Sequence, residues 1–202
     1  MKPGAIAAIG RHAAWLAALC AVLAAAGFGA VLEGYSQAQH PLALLGARGV
    51  PHALAFNVAG FLVTGLLAAA AAMALRGRLP VDAGWTARIG ARMLLLSALA
   101  FAAQGLLPLD PGDLDGATSR WHATTWTLWW IAATAGAACV GVGLLRRPGW
   151  RALAWIALPA SALVAWFALA PPGGWPAGIA PRIGFGAWLG LVAASAAAGE
   201  HG

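Results

Sequence analysis

Between Glu33 and Asn57 the chain reads EGYSQAQHPLALLGARGVPHALAFN, gathering Glu33, Tyr35, His40, Arg48, His52 and Asn57 between two long apolar runs. Carboxylate and imidazole groups carry protons, while a phenol or an amide orients a ligand by hydrogen bonding. Further on, Asp110 and His122 flank one short loop, a spacing that allows a carboxylate–imidazole pair to act as general base or to orient a ligand. Arg182 opens the last apolar run, and a guanidinium suits bidentate binding of a phosphate or carboxylate. The candidate catalytic set is therefore His122, Asp110, Glu33 and His40. The candidate substrate-binding set is Arg182, Tyr35 and Asn57. Each has a plainer reading. Glu33 also marks the wet end of an apolar helix, and His40 before Pro41 also shapes a turn. His52 reads as a neutral residue opening a helix, because a charged one opposes the helix dipole. Asn57 also ties a loop to the helices, and Arg182 also snorkels to headgroups.

The elements that must position these groups are apolar helices. Hydrophobic residues make up 61% of the 202 and charged residues 9%, against roughly 45–50% and about 25% in soluble domains. Several apolar runs approach or exceed the ~20 residues that cross a bilayer. The sequence predicts an all-α, polytopic membrane protein: a single transmembrane domain over residues 1–202 with helices near 13–32, 53–75, 89–109, 121–145, 152–170 and 181–198. The first run is longer than the ~7–15 residues of a signal-peptide core and is read as a retained helix. The eleven tryptophans suit anchors at the headgroup level.

The loops alternate in charge. Lys2, Arg11, Arg76, Arg78, Arg88, Arg92, Arg146, Arg147 and Arg151 fall on one side; Arg48, Arg120 and Arg182 fall on the other. The positive-inside rule then places both termini in the cytoplasm of a bacterial-type inner membrane. The net charge of +6 follows from this bias and gives no reason to expect nucleic acid. Ala- and Gly-rich runs predict closely packed helices. The pairing of helices two and three with four and five, each through a basic loop holding Pro, Gly and Trp, is a faint internal echo.

Several chemistries lack their signatures. There is no HExxH, phosphate-binding loop, GxSxG or CxxCH. Asp113 and Asp115 have the spacing of a calcium loop without its closing acid, so no metal site is expected. Cys20 and Cys139 read as small apolar side chains. Ser36 is the only outer serine near His40, a serine–histidine pair four residues apart in a loop. His40, His52 and His122 leave haem ligation open, but nothing in the sequence names a cofactor.

The pattern Tyr35-Ser36…His40-Pro41…Leu45-Gly46…Gly49…Pro51…Asn57…Gly60-Phe61…Gly65, followed by Leu107-Pro108-Leu109-Asp110, His122 and Arg182-Ile183, resembles the bacterial and archaeal six-helix membrane family of domain of unknown function 998. The resemblance covers nearly the whole chain and implies the same six-helix architecture. Members often carry Ser-Glu just before the Leu-Gly, where this chain has Ala43-Leu44. If the family has acid chemistry there, the resemblance implies that this chain lacks it or that Glu33 replaces it. The family is similar in shape to six-helix proteins implicated in lipid-anchor remodelling, an analogy of fold that supplies no reaction.

These observations lead to an outward-facing polar pocket in a membrane protein, with the lipid bilayer and a lipid or other amphiphile as expected partners. One reading is an enzyme using acid–base chemistry. The alternatives are a non-catalytic binding or assembly subunit with a protein partner, and a haem protein. The inner halves of the helices are too apolar for a midplane transport site.

Overall fold

The computed structural model describes residues 3–170 and 172–199, with side-chain environments from residue 8 onward; Lys2, assigned above to the basic side, lies outside them. The described residues form helices and no strand: α1 (Pro3–Val31), α2 (Ala53–Arg78), α3 (Gly84–Gln104), α4 (Ala117–Leu144), α5 (Arg151–Leu169) and α6 (Ile179–Ala194). The first five elements are long and apolar enough to cross a membrane. With 16 residues, α6 spans about 24 Å, short of a hydrocarbon core of about 30 Å.

Helix ends differ from the sequence expectation for local reasons. α1 begins at Pro3 rather than Ala13, since proline fits a first helical turn and Arg11 and His12 are exposed on the helix surface. α3 stops at Gln104 rather than Leu109, because Gly105 is followed by Pro108, which supplies no backbone N–H. α6 stops at Ala194 rather than Ala198. There Arg78 of α2 donates to the carbonyls of Ser195 (2.5 Å), Ala196 (3.3 Å) and Ala198 (2.8 Å), satisfying groups that the helix end leaves free. His52 does not enter α2. It is the N-cap, at φ 61°, a left-handed conformation that costs a non-glycine residue energy.

Close approach of small residues holds the helices together. A Cβ on Gly90 of α3 would lie 2.6 Å from Val140 N and 2.8 Å from Gly136 O of α4, and one on Gly65 of α2 would lie 2.5 Å from Ala102 N of α3. Such contacts suit an apolar solvent, where association depends on packing rather than on expelling water. Phe61, Phe101, Trp129, Phe185 and Trp188 form a continuous aromatic core, with centroids 4.5–6.2 Å apart along the chain of contacts. Trp188 Nε1 donates to Ser97 Oγ at 3.1 Å. α1 is the least buried of the five long helices and exposes Trp15, Leu16, Leu19, Val22 and Leu23, a face that lipid can cover.

α2 is π-helical over Asn57–Val63. The carbonyl of Ala59 in this segment accepts from Thr64 Oγ1 (3.1 Å) and from Cys20 Sγ of α1 (3.3 Å). Cys20 and Cys139 are both free thiols.

The helices alternate in direction. Gly10 packs on Ala74, Arg78 holds Ser195, and Asp82 pairs with Arg147, so both described ends of the chain lie at one end of the bundle, which carries most of the arginines. The Arg147 guanidinium beside Asp82 holds that carboxyl below its usual range. The opposite end carries the connections after α1, α3 and α5.

Candidate functional site

The connection after α1 crosses this second end of the bundle and is fixed to both of the others. Gly34 turns the chain at φ 73°, and His40 N–H closes a turn onto Ser36 O at 2.9 Å. Pro41 then leads into a short 3-10 helix, Leu42–Gly46, that buries Leu45 and Gly46. Gly178 N donates to Ala38 O at 2.8 Å, tying this segment to the start of α6, and Arg48 N donates to Leu109 O at 2.8 Å, tying it to the α3–α4 connection.

Arg182, in the first turn of α6, is the centre of one cluster. Its Nη1 donates to the backbone carbonyls of His40 (2.9 Å) and Gly178 (2.8 Å). Its Nη2 donates to Tyr35 Oη (2.5 Å) and to Gln37 Oε1 (2.7 Å), and its Nε reaches the same Gln37 oxygen at 3.2 Å. Its charge also stands 6.0 Å from the Tyr35 ring centroid. Every one of these acceptors is neutral. The first turn of α6 holds no acid, and among the described residues no carboxylate pairs with Arg182. The positive end of the α6 dipole adds to the same local potential.

A cavity of about 530 Å³ opens beside this cluster, between α1 and α6, within the size range of ligand pockets. Ala21, Val22, Ala25, Ala26, Gly29 and Ala30 form one wall; Phe185, Gly186 and Leu189 form the other; Phe56, Gly60 and Phe101 lie behind. Gln37 and Arg182 are its polar residues. Along α1, from Ala21 to Ala30, the wall extends about 14 Å. Small residues make the space: no atom lies within 4 Å of a Cβ built on Gly186, whereas one on Gly29 would collide with the Gln37 amide. Gln37 Nε2 donates to Ala25 O at 2.7 Å, so its amide bridges α1 to Arg182.

The structure separates the sequence candidates into two groups. Tyr35, His40 and Arg182 meet at the rim of this groove. His40 lies 5.5 Å from Tyr35 between ring centroids, and its Nδ1 accepts the Ser36 N–H at 2.9 Å. The Ser36 hydroxyl instead accepts from Gln39 N at 3.3 Å, so no serine–histidine nucleophile forms. Asp110, His122 and Asn57 belong to a second group around the α3–α4 connection. His122 Nδ1 lies 2.8 Å from Leu107 O, a carbonyl that can only accept. The Asp110 carboxylate receives Gly112 N–H at 3.0 Å and faces Arg48 Nη1 at 3.6 Å. The carboxylate–imidazole pair expected from their spacing is therefore replaced by two separate contacts. Asn57 is buried, and its Nδ2 donates to Gly46 O at 2.8 Å, the loop-tying role. Glu33 is exposed and lines neither group.

Two measurements follow directly. Asn57→Leu strands the Gly46 carbonyl in a buried site, and the expected cost is about 1–3 kcal/mol, read as a lower midpoint in thermal unfolding in detergent. Tyr35, the molecule's one tyrosine, has its pKa raised from the ordinary 10.0 by burial, which outweighs the opposing Arg182 charge and hydrogen bond. A phenol with a raised folded pKa stabilises the native state below its unfolded pKa, and this contribution is lost as pH climbs through the folded value. Ultraviolet titration should therefore place Tyr35 ionisation above 10.0, with loosening of the rim in that alkaline window. A midpoint at or below 10.0 contradicts the buried setting.

Gln37 is the rim residue that sequence reasoning misses. Its partner lies 145 residues away, and no local pattern marks it. Among the described residues no group of three or more His, Cys, Asp or Glu side chains could hold a metal, and none of the groove-lining residues is a histidine. Compared with protein-family models, with curated proteins and with solved structures, the chain matches none.

Proposed function

We propose that this chain is an integral membrane protein that takes an amphiphile from the bilayer into the groove between α1 and α6. The observation that carries this reading is the groove itself: apolar walls of alanine, glycine and phenylalanine ending at a guanidinium. α1 exposes an apolar face beside the groove, so a lipid tail reaches it without crossing water. Binding is favoured over acid–base catalysis, because His122 and Asp110 are committed to contacts away from the groove and Glu33 is not among its lining residues. His40, at the rim, is the one remaining proton carrier of the candidate set.

The kinship with the six-helix family of domain of unknown function 998 is part of the same proposal. Tyr35, His40 and Arg182, three of the residues that carry the resemblance, are joined at the rim. The basic end, with Arg11, Arg76, Arg88, Arg92, Arg146 and Arg151, would face the cytoplasm of a bacterial-type inner membrane by the positive-inside rule.

Native mass spectrometry of the gently solubilised protein tests the reading. A discrete bound mass with the fragmentation pattern of an amphiphile is the expected result. A protein that stays bare, and takes up no added amphiphile, overturns it.

A further inference from the structure

We infer that the groove selects amphiphiles with an anionic head, and that Gln37 is a latch occupying the seat this head takes. The inference rests on the groove reading above and adds the chemistry of the ligand. Arg182 has two unlike edges. Its Nη1 is held by two backbone carbonyls, of His40 and Gly178, which fix the plane of the guanidinium. Its Nε and Nη2 edge is the fork that binds a carboxylate or phosphate with two parallel hydrogen bonds. A single amide oxygen, Gln37 Oε1, receives both of those donors, at 3.2 and 2.7 Å.

That oxygen belongs to an exposed side chain that swings by rotation about its own bonds, whereas the carbonyls opposite cannot leave. The other end of the amide holds Ala25 O of α1 at 2.7 Å. The Gln37 side chain thus lies across the groove mouth, joining its two walls. An anionic oxygen on the fork gains charge-assisted bonds that a neutral amide does not supply, and it meets a cation with no carboxylate partner among the described residues. Tyr35 Oη accepts from Nη2 at 2.5 Å and directs its own proton to Pro41 O at 3.5 Å, a long contact that it must exchange to donate to a second anionic oxygen. The tail then follows the wall from Ala30 towards Ala21. A fatty-acid carboxylate and a lipid phosphate share this chemistry.

The test compares oleate, oleyl phosphate and oleyl alcohol on the solubilised full chain, in buffer alkaline enough to ionise both acids, with the bound fraction read by native mass spectrometry. The anions should bind at least about tenfold tighter than the alcohol, and the tighter of the two names the source. Gln37→Ala should tighten both anions several-fold and leave the alcohol unchanged. Arg182→Gln should abolish the anion preference while the alcohol still binds. If Arg182→Gln does not fold, the first two comparisons decide, since both retain Arg182. Equal binding of all three probes, all blocked by Gly186→Phe, overturns the anionic selection and leaves the groove reading standing. Binding that Gly186→Phe does not reduce overturns both. Anion binding weakened by Gln37→Ala overturns the latch.

Discussion

Gly90→Leu separates α3 from α4, and the expected result is loss of the folded bundle. The new side chain has no room: its Cβ alone would stand 2.6 Å from Val140 N, 2.8 Å from Gly136 O and 2.9 Å from Cys139 Cβ. The first two are backbone atoms of a helix and cannot rotate away. The arrangement is reciprocal, because a Cβ on Gly136 would lie 2.9 Å from Leu94 N and 3.1 Å from Gly90 O. Overpacking of a core ordinarily costs about 1–3 kcal/mol, and this site exceeds that range, because the clashing atoms are helix backbone and relief requires whole helices to move apart. Among membrane helices such a displacement forfeits the dispersion contacts that drive association. Size-exclusion chromatography of the solubilised proteins should show aggregate for the variant and a single discrete species for the wild type. Gly77→Leu, on α2, is the matched control: no atom lies within 4 Å of its Cβ, and the replacement removes a poor helix former. Equal behaviour of the two variants would show that the α3–α4 contact does not hold the bundle.

The helical bundle was legible in the sequence because hydrophobic runs and charged loops are local signals. Even there, ends depended on distant partners. Gly105 and Pro108 already mark the end of α3, but nothing near Ala194 shows that α6 stops where Arg78 of α2 donates to the carbonyls of Ser195 and Ala196. The site was legible only in part. Tyr35, His40 and Arg182 stand out as polar residues in apolar surroundings, and they do meet. Asp110 and His122 stand out equally, and their spacing permits a pair that does not form. The nearer backbone carbonyl of Leu107 takes the imidazole, and Arg48, from another connection, faces the carboxylate. Sequence proximity establishes reach and does not reveal which competing partner wins. A pocket at this end was expected as a polar one, but its apolar walls and its place between α1 and α6 were not legible, since it is a space left by glycines and alanines on helices far apart in the chain.

Gly186→Phe should empty that groove while leaving the fold intact, lowering the bound amphiphile by at least about tenfold, as loss of one well-buried apolar contact implies. Gly186 lines the cavity on the α6 side, and its Cβ direction is unobstructed to 4 Å. A phenyl ring there projects into open space, so the substitution competes with a tail without straining the protein. Phe185, beside it, already packs against Phe101 and Trp129 at 5.4 and 4.5 Å, so the aromatic core remains in place. Gly190→Phe supplies the control: it lies one turn further along the same helix, also unobstructed, and does not line the groove. Lipid bound at an ordinary greasy surface would respond equally to both variants, because each adds a similar apolar ring to α6. Lipid held within the groove responds only to Gly186→Phe. Native mass spectra of the two, with matched thermal unfolding curves, therefore separate a defined binding site from the general wetting of a membrane protein by its solvent.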